Sequence, residues 1–185
     1  MQLLLFSAST RTGSYNTKLI ELTSKLMKTQ ADDIVLDVAD FKEFDMPLYD
    51  ADLNATSGLP KNALHFIERL QKADGLVISS PEYNFSIPGT LKNLIDWVSR
   101  QKPMPWKAKP ILLMSAAMSV VGGNRGLWAT RIPLEACGSY VFSDMFSLAL
   151  AQEAFIENGE LKDSGLQDRL NKNLADFIHY VRRLT

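Results

Sequence analysis

The sequence predicts a three-layer α/β/α sandwich built on an open, parallel sheet. Three observations predict it. Short apolar runs without polar alternation recur along the chain, the pattern of strands covered on both faces. Between them lie segments with apolar residues at helical spacing, which suits crossover helices. The length, 185 residues, suits one domain spanning 1–185. A domain of that size buries roughly 70% of the surface its unfolded chain exposes and needs no metal or disulfide staple.

The elements follow in order. QLLLFS (residues 2–7) reads as the first strand and IVLDVAD (34–40) as the second. GLVISS (75–80) reads as the third and PILLMSAA (110–117) as the fourth. YVFSDMFSLAL (140–150) is β-branched and aromatic enough for a fifth. The helices alternate with them. Residues 16–29 place Leu19, Leu22, Leu26 and Met27 on one side with lysines opposite. Residues 60–73 open on Pro60, a favoured helix start, and carry Leu64, Ile67 and Leu70. Residues 89–100 present Leu91, Leu94, Ile95 and Val98. Residues 124–138 form a fourth helix that Pro133 kinks or breaks. Residues 164–184 form the last. The stretch 49–61, YDADLNATSGLPK, reads as a loop near the site or at a subunit contact. Five strands alternating with five helices match a flavodoxin-like sheet of order 2-1-3-4-5, and in such sheets ligands sit beyond the carboxyl ends of the strands, near the switch in strand order.

Composition narrows the function classes. The chain carries 20 basic and 21 acidic residues, a formal net charge of -1, so nothing draws it globally to nucleic acid or an anionic membrane. Cys137 is the single cysteine; it cannot form an internal disulfide and reads as a small apolar packing residue. No Cys/His cluster has zinc spacing. The N-terminal residues do not form a secretory signal and no apolar run reaches a membrane span, so a cytoplasmic location is expected. His65 and His179 fall on helical segments and read as structural.

Three loops at the predicted rim are unusual. SASTRTGSYN (7–16) gathers Ser9, Thr10, Thr12 and Ser14 beside Arg11, just before a helix. A helix N-terminus favours an anion, and hydroxyls with an arginine suit a phosphate. Capping by Ser14 or Asn16 uses one of these residues and leaves the others unexplained. There is no Gly-Lys-Ser/Thr ending and only Gly13 for a glycine pattern, so neither a P-loop nor a dinucleotide fingerprint is present. The loop from Pro81 to Gly89, PEYNFSIPG, is longer than a plain strand-to-helix connection, which takes about two to six residues. Its prolines stiffen both ends, and a stiff loop loses little entropy when a flat ligand docks. Tyr83 and Phe85 either face that ligand or pack. The third loop, SAAMSVVGGNRG (115–126), ends in Gly122 and Gly123, a close backbone approach or a simple turn. No hydrolase elbow and no metalloprotease motif occur.

PEYNFSIPGTLKNLIDW, residues 81–97, resembles the signature of the NAD(P)H-dependent FMN reductases at every specified position. The first loop resembles that family's phosphate motif at Ser9, Arg11, Ser14 and Asn16, with Ala8 where the family has glycine. The resemblance implies that Ser9, Arg11, Ser14 and Asn16 hold the FMN phosphate with the backbone N–H groups of Thr12 and Tyr15. It implies that Pro81, Glu82, Tyr83 and Asn84 line the isoalloxazine with Ser86 nearby, and that Ser115, Gly122 and Gly123 approach the ring. It further implies hydride transfer from NADPH or NADH through FMN, in ping-pong order, to a small-molecule acceptor: a quinone, free flavin, azo compound or metal oxyanion such as chromate. No catalytic acid or base is needed, since the cofactor carries the chemistry. The family also implies a homodimer or homotetramer, against which Trp97, Trp106 and Trp128 could bury. Arg125 and Arg131 read as solvated or subunit contacts, with a nucleotide phosphate as the other option. An electron carrier of the flavodoxin type would bind FMN too, but such carriers are strongly acidic; a redox-inactive protein on this fold would have no use for three polar loops.

Overall fold

In the computed structural model, which describes residues 1–184, a parallel sheet is wrapped by helices on both faces. In chain order the elements are β1 (Gln2–Ser7), α1 (Tyr15–Gln30), β2 (Val35–Ala39), a 3₁₀ turn (Phe41–Phe44), α2 (Ala51–Ser57), α3 (Lys61–Lys72) and β3 (Gly75–Ser79). They continue with α4 (Gly89–Val98), β4 (Pro110–Ala116), α5 (Asn124–Ala136), β5 (Tyr140–Val141), β6 (Phe146–Leu148), α6 (Ala151–Ala154) and α7 (Ser164–Leu184). The order β2-β1-β3-β4-β5 bears out the flavodoxin-like arrangement expected of the alternating runs.

Strand alternation builds two cores. Leu4, Phe6, Ile78 and Leu113 point to one face, where α3, α4 and α5 cover them with Phe66, Leu94 and Leu127. Leu3, Leu5, Val77 and Leu112 point to the other, where α1 and α7 supply Leu19, Leu22, Leu174 and Phe177. β1, β3 and β4 are buried almost throughout, so their sequences show no polar alternation.

Four expectations need correction. The fifth strand is two pieces: β5 pairs with Pro110 and Ile111, β6 pairs with Met114 to Ala116, and the chain between them leaves the ladder. There Phe142 turns onto Phe177 and Tyr180 of α7, and the Asp144 carbonyl accepts from Asn173 Nδ2 at 2.7 Å. Residues 51–57 are a helix, not a loop. Asp50 caps it by accepting from the N–H groups of Asp52 and Leu53, and Gly58 ends it at φ 72°. On α3 the buried stripe is Ala63, Phe66, Ile67 and Leu70, which leaves Leu64 exposed. β2 is an edge strand, with Val35 and Val38 open to solvent.

Pro133 lies inside α5 without breaking it. Cys137 is half-buried against the first core, and that burial raises its thiol pKa. Trp97 and Trp106 are fully buried within the chain, leaving Trp128 as the exposed tryptophan. Among the described residues no helix is long and apolar enough to cross a membrane.

Candidate functional site

The parallel ladder brings the ends of β1, β3 and β4 to one rim. Ser7 pairs with Ser79, and Ser79 with Met114. The loops that leave these ends are the three singled out in the sequence.

In the first loop, Thr10, Arg11, Thr12 and Gly13 are exposed and Ser9 is half-buried. Together they line one side of a hollow of about 380 Å³ whose other side includes Asp40 and Lys42. The Arg11 guanidinium lies 5.6 Å from the Tyr15 ring centre and within 3.4 Å of the Gly13 carbonyl. No carboxylate among the described residues pairs with it. Ser14 is the N-cap of α1; its hydroxyl accepts from the Asn16 N–H at 3.2 Å. Ala8, at the family glycine position, is buried in the first core and donates its N–H to the Ser79 carbonyl at 2.9 Å. Its methyl is therefore accommodated by packing.

Asn16 has a role that its position in a phosphate motif conceals. It is buried, its Nδ2 donates to the Ala116 carbonyl, and its Oδ1 accepts from the Ala116 N–H, each at 3.0 Å. The Ser79 hydroxyl donates to the same oxygen at 2.9 Å. One side chain thus clips the start of α1 to the ends of β3 and β4. A buried amide with these partners is fixed in orientation.

The second loop is a tight reversal. Tyr83 and Ser86 exchange both backbone hydrogen bonds, at 3.0 and 3.1 Å. Asn84 and Phe85 between them have φ of 50° and 61°, the signature of a type I′ turn. Asparagine tolerates that region; a bulky phenylalanine there is strained by about 1–2 kcal/mol. Phe85 is nonetheless 68% exposed, and Tyr83 53%. Buried Pro81 anchors one end. Glu82 anchors the middle by accepting from the Gly126 N–H at 2.7 Å.

The third loop packs against the chain itself. Ser115 is fully buried and donates from its hydroxyl to the Gly122 carbonyl at 2.5 Å. Gly122 lies at φ 62°, and a Cβ there would stand 2.8 Å from the Ala149 nitrogen. These contacts account for both residues as determinants of loop shape. Between them the loop raises Met118 and Val120, both exposed, to the rim. Gly126, which the sequence reading passed over, is required because a Cβ would meet Glu82 Cβ at 2.9 Å. Its sequence signal was a glycine inside a helical segment.

All fourteen expected residues lie in these rim loops or at the elements they join. Ser9, Arg11, Thr12, Tyr83, Asn84 and Ser86 have surface to offer a ligand, whereas Ser14, Asn16, Pro81, Ser115, Gly122 and Gly123 are buried. The arrangement is a hydroxyl-and-arginine loop at a helix start, beside a stiff aromatic turn and a glycine-bearing loop. It suits a flat ring system carrying a phosphate.

The chain is similar to known proteins along its length. The NADPH-dependent FMN reductase family model matches residues 1–153. A quinone reductase of Escherichia coli is 32% identical over 187 residues, covering 100% of this chain and 97% of the relative. An NAD(P)H-dependent FMN reductase of Pseudomonas aeruginosa is also 32% identical, over 191 residues, with the same coverages. In solved structures, the flavoenzyme NAD(P)H:(acceptor) oxidoreductase FerB of Paracoccus denitrificans superposes with a TM-score of 0.82 at 26% identity, covering 98% of this chain and 97% of that one.

Proposed function

The chain belongs to the NADPH-dependent FMN reductase family, and from that premise we propose that it is an FMN-dependent oxidoreductase that takes hydride from NADPH or NADH and reduces a small acceptor. The single observation that carries this is that β1 and β3, paired Ser7 to Ser79, deliver the hydroxyl loop at the start of α1 and the stiff Tyr83–Ser86 turn to one rim. The residues present fit FMN. Ser9 and Arg11, with the backbone N–H groups of Thr12 and Tyr15, hold its phosphate by neutral and charge-assisted hydrogen bonds, and buried Ser14 caps the helix start beneath them. Glu82, Tyr83, Asn84 and Ser86 border its ring, Pro81 fixes where that border begins, and Ser115, Gly122 and Gly123 shape the facing loop. Asn16 holds these loops in register.

When bound, FMN supplies the hydride-accepting and hydride-donating chemistry. The chain supplies position. Its rim presents no histidine, since His65 and His179 lie on α3 and α7, so no side-chain general base is assigned. Nucleotide and acceptor use the same opening in turn, which gives ping-pong order. The acceptor is a quinone, free flavin, azo compound or metal oxyanion such as chromate. The working unit is a homodimer or homotetramer, with Trp128 and Ile132, both exposed on α5, available to the interface.

The test is steady-state oxidation of NADPH and NADH by FMN-loaded protein against a panel of these acceptors. Parallel lines in double-reciprocal plots with a quinone are expected. Protein that holds FMN yet oxidises neither nucleotide would point to a one-electron carrier instead.

A further inference from the structure

We propose that Arg125 receives a phosphate of the pyridine nucleotide and that Phe85 keeps its side chain ready at the rim; this rests on the reductase reading above. The guanidinium carbon of Arg125 lies 4.5 Å from the centre of the Phe85 ring, within cation–π range. Arg125 is the second residue of α5, two positions beyond Gly123. Phe85 belongs to the tip of the second loop. The pair therefore spans two of the three loops that form the site.

Neither residue is explained by packing. Phe85 holds a left-handed backbone conformation while its ring stands in solvent. Strain kept without burial marks a functional position. Arg125 has no carboxylate partner among the described residues. Its neighbours are otherwise engaged: Arg131 pairs with Glu135 at 2.5 Å and lies over Trp128. Glu82, on the adjacent loop, accepts from Gly126. What remains is a permanently ionised fork, restrained on one face by an aromatic ring and open on the other. Such a group takes a phosphate bidentately. The reaction brings a phosphate-bearing co-substrate to this rim, and Arg11 on the first loop is assigned to the FMN phosphate. Lys42 lies across the hollow from Arg11, whereas Arg125 is the cation that the second and third loops hold between them, and we assign it to the nucleotide.

Two phosphates could fill this role, the 2′-phosphate of NADPH or the pyrophosphate common to both nucleotides. Arg125→Met and Arg125→Lys, loaded with FMN, separate them in steady-state assays at low ionic strength with one quinone at fixed concentration. Loss of one charge-assisted pair in Arg125→Met is expected to raise the nucleotide KM about tenfold or more, with a smaller change in kcat. Arg125→Lys keeps the charge and recovers part of the loss. A rise for NADPH alone assigns the 2′-phosphate; an equal rise for NADPH and NADH assigns the pyrophosphate. An Arg125→Met protein with full FMN content whose KM stays within about twofold of the original for both nucleotides overturns the proposal. Failure of the underlying reading is distinguishable, because there the unsubstituted protein itself would oxidise neither nucleotide.

Discussion

Glu82 and Gly126 are separated by 44 positions in the chain and joined by one hydrogen bond of 2.7 Å, from the glycine N–H to the carboxylate. The bond ties the aromatic turn to the first turn of α5. The missing Cβ at Gly126 is what allows the approach, since one placed there would meet Glu82 Cβ at 2.9 Å. Glu82→Gln keeps an acceptor, whereas Glu82→Ala leaves a part-buried N–H unpaired. Glu82→Ala is expected to lose about 1–3 kcal/mol of stability and Glu82→Gln clearly less. Gly126→Ala should resemble Glu82→Ala. Urea unfolding of the three variants measures this; equal losses for Glu82→Gln and Glu82→Ala would show that the bond is not the cause.

Asn16 carries three buried hydrogen bonds to Ser79 and Ala116. Asn16→Ala strips the Ala116 N–H and carbonyl of partners and is expected to lower stability by about 2–4 kcal/mol. Asn16→Asp sets a buried carboxylate oxygen against the Ala116 carbonyl and should be at least as destabilising as Asn16→Ala. FMN affinity should drop in parallel with stability, because the residue acts through the loops. A variant with full stability and weakened FMN binding would instead place Asn16 in direct contact with the ligand.

Arg11 is the opposite case: it is exposed, and among the described residues its side chain pairs with no carboxylate and meets the Gly13 carbonyl and the Tyr15 ring. Arg11→Met should leave the melting temperature near its original value. FMN should bind about tenfold or more weakly in fluorescence titration, an effect that shrinks as salt is added. Salt-independent binding in both proteins would remove Arg11 from the phosphate site.

Cys137 tests burial by its chemistry. Desolvation disfavours the thiolate and raises the thiol pKa above the ordinary value, which is near 8.5. Less thiolate exists at any given pH, so modification by a disulfide reagent at neutral pH should be slower than that of glutathione. The rate should keep climbing at pH values where glutathione has levelled off. A rate at or above that of glutathione would contradict the packing of this residue against the core.

How much of this was legible in the sequence depended on whether a residue's neighbours are local. β1, β3 and β4 could be read because burial on both faces removes polar alternation, and the order of the sheet was that of the flavodoxin-like pattern which five strands alternating with helices match. The second loop could be read because its prolines and aromatics are contiguous. α2 could not: none of its residues is buried, so it carries no apolar stripe, and only the Asp50 cap and the Gly58 stop announced it. Leu64 misled because its spacing to Ile67 and Leu70 fits one face, while Ala63, Phe66 and Ile67 define the true one. The break between β5 and β6 follows from Phe142 meeting α7, a distant contact. The clip made by Asn16 and the bond from Gly126 to Glu82 join positions 100 and 44 residues apart. No local pattern encodes them.

The division of the outermost strand into pieces of two and three residues also bears on how copies of this chain can meet. A border with no continuous row of free amide and carbonyl groups offers little template for a foreign segment to lengthen. On that flank the molecule is protected from fibrous self-propagation, and any stable assembly there must be held by side chains.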